Sequence, residues 1–176
     1  MPMQTYKYLL FLSLIGSLGL KSCSVQKLNT DNTLDIGAPY QGGILFYLFQ
    51  EGDIGYVAGE WHGLIVAPSD QSTEVEWGCY GARIKGANRT AIGTGAQNTL
   101  AILADCSEAG IAARVCDELV LEGYDDWFLP SKDELNLLYL NKDAISSFGN
   151  FYYWSSTEYG GFNGWGQDFF SGYQYG

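Results

Sequence analysis

Apolar residues in this chain recur with two different periods in three successive blocks, and that order restricts the fold more than any other feature. The first block holds short, strand-like runs. Gly42-Gly43-Ile44-Leu45-Phe46-Tyr47-Leu48-Phe49 is continuous and ends in Glu51-Gly52-Asp53, the pattern of a well-buried strand followed by a turn. Shorter strands are expected over residues 55–58 and 63–67, the second stopped by Pro68, and Glu74-Val75-Glu76-Trp77 alternates as an edge strand does. In the second block the period becomes helical. Residues 96–104 read as a short helix, Ser107 is placed to cap a longer one from Glu108 to about Leu121, closed by Gly123, and Ser131-Lys132-Asp133-Glu134 is a capping box. Leu135, Leu138 and Tyr139 share one face of the helix that the box begins. The third block, residues 151–156 and 165–171 on either side of a Gly160-Gly161 turn, is strand-like again and aromatic. Strands, then helices, then strands predict an α+β fold, with short antiparallel strands flanking two to three helices.

Composition agrees with one domain of this kind. The chain has 176 residues, of which 47% are hydrophobic and 16% charged, so it has enough apolar material for a core and is not of the disordered class. Its 23 Gly and 13 Tyr favour short strands and tight turns over a helical bundle.

The N-terminus reads as an export address. Lys7 precedes an apolar run from Leu9 to Leu20, too short to span a bilayer but right for the central region of a signal peptide. Leu20-Lys21-Ser22-Cys23 follows and resembles the lipobox of bacterial lipoproteins, which implies cleavage after residue 22 and lipid on Cys23. Residues 1–22 are then the signal peptide, 23–40 a polar tether and 41–176 the folded domain. Several acyl chains, each contributing about 0.8 kcal/mol per buried CH₂, make such an anchor stable. The expected location is the bacterial cell envelope, at the outer membrane or cell surface. Loss of Lys7 and Lys21 with the leader leaves seven bases against 20 acids, a formal charge of −13. That surface repels nucleic acid and other polyanions, whose binding draws on Lys and Arg.

Three cysteines remain in the domain, and an oxidising compartment favours one pair. Cys116 lies on the stripe Ile111, Ala112, Val115, Cys116 and Leu119 at helical spacing, as a buried thiol would; Cys79 and Cys106 sit in loop-like contexts and are the expected disulfide. No catalytic or metal-binding constellation assembles. His62 is the single histidine, there is no Cys-x-x-Cys, and Ile92-Gly93-Thr94-Gly95 completes no phosphate-loop motif and reads as a turn into a helix. The carboxylates of Asp125, Asp126 and Asp133 are explained by turns and a first helical turn. No cofactor and no enzymatic activity are expected.

Five segments in order carry a family resemblance: Gln41-Gly42-Gly43-Ile44, Trp77-Gly78-Cys79-Tyr80-Gly81, Thr90-Ala91-Ile92-Gly93-Thr94-Gly95, the run from Gly123 to Leu135 containing Trp127-Phe128-Leu129-Pro130-Ser131, and Tyr153-Trp154-Ser155-Ser156-Thr157-Glu158. Together they resemble the domain-of-unknown-function family typified by the C-terminal domain of a bacterial collagen-like adhesin. The resemblance covers residues 41–176 and implies a C-type-lectin-like fold. Members of that family usually end on a basic strand that this chain lacks, so the resemblance implies a domain truncated at its C-terminal strand. Formylglycine-generating relatives of the fold use late cysteines, and here no Cys follows Cys116, so their chemistry does not carry over. Residues 159–176, with Tyr, Gly, Phe, Asn and Ser scattered around Trp165 and Gln167, resemble the variable segment of retroelement-diversified lectin-like proteins.

The expected function is a non-catalytic adhesin or receptor-like module that recognises a glycan or a protein. Trp154 and Phe169 are expected to point inward, leaving Tyr159, Phe162, Asn163, Asp168, Tyr173 and Tyr175 as an outer binding patch. The alternative is a structural or assembly lipoprotein of the envelope.

Overall fold

The computed structural model describes residues 35–145, 148–161 and 163–176, together with the backbone of two short strands, β1 (Tyr6–Tyr8) and β2 (Phe11–Leu14). Cys23 with the cleavage site, most of the tether, and Phe162 lie outside the described residues. The architecture is mixed α+β, as the order of periods predicts: two small antiparallel sheets of three strands each and four helices, two of them substantial.

The first sheet runs β3 (Pro39–Tyr40), β4 (Gly43–Leu48) and β5 (Gly63–Val66). Beyond β5 the backbone of β2 pairs antiparallel with both β5 and β6 (Trp127–Phe128). The sheet is buried on both faces, which is why β4 and β5 read as continuous apolar runs and not as alternations. Leu45, Ile65 and Trp127 point to one core with Trp77, Ile102, Cys116 and Trp154; Phe46, Leu64, Val66 and Phe128 point to the other with Leu135, Leu138, Tyr153 and Phe169.

Helices α1 (Gly95–Asp105) and α2 (Ala112–Asp117) pack on the first core. Helix α3 (Lys132–Leu140) and the short α4 (Lys142–Ile145) serve the second, which carries the C-terminal sheet of β7 (Tyr152–Tyr159), β8 (Asn163–Asp168) and β9 (Gln174–Tyr175). The capping box forms as read: Ser131 Oγ accepts from the Glu134 amide and the Glu134 carboxylate accepts from the Ser131 amide. The disulfide joins Cys79 to Cys106, and Cys116 is a buried thiol.

Three local expectations fail, each for a tertiary or glycine-borne reason. Residues 55–58 form turns and not a strand, because Gly52, Gly55 and Gly59 all take positive φ and fold the segment back on itself. Residues 74–77 run without strand pairing; their backbone serves Trp154, whose indole N–H donates to the Val75 carbonyl, and Ala112, whose amide donates to Glu76. The long middle helix shrinks to six residues. Gly110 at φ +72° breaks its start, so Ile111 and not Ser107 precedes its first turn, and Glu122 and Gly123, both at positive φ, close a tight reversal between Leu121 and Tyr124 in place of a helix end.

Candidate functional site

The C-terminal sheet supplies the candidate surface. The β7–β8 pairing sets Tyr159 opposite Asn163 at the hairpin end and Tyr152 opposite Asp168 at the other. Trp154 on β7 and Phe169, in the turn just past β8, are both buried. On one face of β8, Gln167 is wholly buried and donates to Asn136 Oδ1 of α3 at 2.9 Å; Gln174 of β9 donates to the Lys132 carbonyl at 3.0 Å. These amides clamp the sheet to α3 and hold it rigid.

The residues expected to form one patch lie along the sheet in three places. At the hairpin end Tyr159 is 47% exposed and meets the Trp165 ring edge-on at 4.9 Å, while Asn163 is exposed beside it. The Lys132 ammonium stands 3.6 Å over the same Trp165 ring, a cation–π contact. Midway, Tyr175 is half-buried, with its ring edge-on to Tyr152 at 5.4 Å. At the far end Asp168 is taken up by its own turn: its carboxylate accepts from the Phe170 amide at 2.8 Å and from Ser171 Oγ at 2.6 Å. Slight burial works against the charge, but the Ser171 hydroxyl, the Phe170 and Ser171 amides and nearby Lys142 together hold the carboxyl below the usual carboxylate range. That turn sets Phe170 and Tyr173 outward, 73% and 71% exposed. The six residues of β8 span roughly 17 Å, so the surface is an aromatic strip with two ends. Comparison with protein-family models, with curated proteins and with solved structures gives no match.

Three residues of the strip escaped the sequence reading. Trp165 reads only as a fixed point of the aromatic C-terminal segment, and Lys132 belongs to the capping box, 33 positions away, so no local pattern joins them. Phe170 differs from buried Phe169 only because the turn rotates it outward. Elsewhere, the groups most able to do chemistry are held in other contacts. Burial, and then the charge of Asp117, push the Cys116 thiol well up. His62 Nε2 pairs with Glu60 Oε2 at 3.0 Å. Among the described residues one cluster has the spacing of metal ligands, Cys79, Cys106 and Glu108, and both of its sulfurs are in the disulfide.

Proposed function

We propose that this chain is a non-catalytic binding module of a bacterial cell-envelope lipoprotein, anchored through Cys23, that recognises a glycan or a protein through the aromatic strip of its C-terminal sheet. The observation that carries the reading is the exposure of Phe170 and Tyr173 on a turn braced by Asp168. Two large aromatic rings left in water on a hydrogen-bonded turn have little reason to be there for folding alone, since burying either inward stabilises a domain by about 1.5–3 kcal/mol. Rigid aromatics with small polar neighbours offer large contact area at low entropic cost, and a ring such as Trp165 or Tyr173 suits stacking on a sugar face or filling a protein pocket. Asn163 supplies a polar group to orient such a ligand.

The test is to probe glycan and protein arrays with the lipidated full chain in detergent and with Phe170→Ser/Tyr173→Ser. Both side chains are outward, so thermal unfolding should change by no more than about 0.5 kcal/mol. Loss of an array signal with unchanged unfolding supports the site. A signal that survives the double change refutes it, and no signal from the unaltered chain on either array favours a structural role in the envelope.

A further inference from the structure

A cavity lies beside Gly93, whose amide bonds to Glu134 of α3's capping box, and its construction is independent of the reading above. Phe49, just past β4, Leu64 of β5, Phe128 of β6, Ala96 and Gln97 from the start of α1, and Ile54 and Val57 from the glycine-folded loop line an open cavity of about 390 Å³. That is within the range of pockets that hold small organic ligands. Its walls are almost wholly apolar. Ile54 and Val57 stand at its mouth 51% and 41% exposed, an arrangement that leaves apolar surface in water.

The cavity is braced on two sides. Asp53 pins the start of the loop by accepting from the Tyr47 hydroxyl at 2.7 Å and from the Gln50 amide at 2.8 Å. On the other side the Gly93 amide donates to buried Glu134 at 2.7 Å, and the Ile54 carbonyl lies so close over Gly93 that a Cβ there would collide with it. Two polar side chains line the space: Gln97, exposed at the start of α1, and His62, only 8% exposed, whose Nε2 faces Glu60 while its Nδ1 bonds to no described residue. In the neutral imidazole with Nε2 donating to the Glu60 carboxylate, Nδ1 is an acceptor. The mouth segment carries Glu51, Asp53 and Glu60 and no Lys or Arg between residues 50 and 62, which disfavours an anion.

We infer that this cavity binds a small, uncharged aromatic molecule bearing a hydroxyl group, its ring between Phe49 and Phe128 and its hydroxyl donating to His62 Nδ1. Aromatic walls favour edge-to-face contact with a ring, and an imidazole acceptor with no protein partner favours a ligand that brings a donor.

The probe is p-cresol, titrated into the isotope-labelled full chain in detergent and followed by amide chemical shifts, with toluene and octanoate as comparisons. Saturable shifts at Gly55, Val57, Gly93 and Gln97 are expected, with p-cresol binding several-fold tighter than toluene and octanoate not binding. Ala96→Leu, which fills the cavity, should weaken p-cresol by about tenfold or more. His62→Phe should abolish the preference over toluene. Should Ala96→Leu fail to fold, Val57→Ser at the mouth takes its place, with weaker binding expected. No saturable shift in the unaltered chain, shifts confined to other surfaces, or binding indifferent to both cavity variants overturns the site; octanoate binding as well as p-cresol overturns the ligand class.

Discussion

The carboxylate of Glu134 accepts a hydrogen bond from the amide of Gly93, 41 residues earlier in the chain, at 2.7 Å. It also accepts from the amides of Ser131 at 2.7 Å and Gly95 at 3.4 Å, so one buried acid serves the first turns of both α3 and α1. Thr94 leaves that work to it, since its hydroxyl donates to the Ala91 carbonyl instead of capping α1. Negative charge is favoured at both helix starts, and burial opposes it.

Burial wins in part. It pushes Glu134 up to about 7, against the pull of the Ser131, Gly93 and Gly95 amides and the Ser131 hydroxyl. Because the folded value lies above the unfolded 4.5, the group contributes stability that is fully present below pH 4.5 and lost as pH rises through about 7. The loss is on the order of 3 kcal/mol across that window. Glu134→Gln should flatten this part of the pH–stability curve measured by denaturant unfolding, while costing about 1–3 kcal/mol at low pH because its amide nitrogen, standing where Oε2 does, cannot accept from the Ser131 amide. An unchanged slope in the variant would show that another group titrates there.

The disulfide closes a loop with a sequence separation of 27, worth roughly 3–4 kcal/mol in the chain-entropy model. Cys79→Ser/Cys106→Ser should lower the unfolding free energy by about that amount. Iodoacetamide should leave Cys116 unmodified in the native chain and label it after denaturation, since the thiol is wholly buried and its ionisation is suppressed. Native labelling at the unfolded rate would mean that α2 opens readily.

Gly164 is tested by the smallest possible addition. Its neighbour is the indole of Trp77, whose N–H donates to the Ser155 carbonyl at 2.7 Å; a Cβ on residue 164 would drive into that ring. Gly164→Ala should therefore destabilise the domain by about 1–3 kcal/mol, although alanine is the better residue for an exposed strand. Thermal unfolding of Gly164→Ala beside Gly52→Ala separates packing from backbone effects, because Gly52 has nothing within 4 Å of its missing Cβ and meets only the strain of φ +102°.

Cys23 should incorporate a fatty-acid analogue in growing cells, and Cys23→Ala should not; equal labelling of both refutes the anchor. Cleavage before Cys23 would also remove β1 and β2. The outer edge of β5 and the facing edge of β6 would then lose the strand that pairs with them, so amides of Gly63–Val66 should exchange with solvent faster in a processed form than in the Cys23→Ala precursor. Equal protection would mean that another segment closes that edge.

What the sequence determined by itself were the features whose physics is local or eliminative. The Ser131–Glu134 box depends on residues three apart. The α+β class followed from a change of period, and the Cys79–Cys106 pair followed from the helical stripe that claims Cys116. Trp154 and Phe169 are buried as expected but not by alternation, since residues 153–157 are all buried and Phe169 lies in the turn past β8. Tertiary structure decided the rest. Residues 55–58 have the composition of a strand, but no partner edge is offered to them and three glycines turn them into a cavity wall. Asp168 looked free to bind and is spent on its own turn; Trp165 and Lys132, 33 positions apart, meet only because Gln167 and Gln174 clamp the C-terminal sheet to α3. Pairing, clamping and enclosure are agreements between distant segments, and a pattern read along one segment contains no information about which edge or face the others will bring to it.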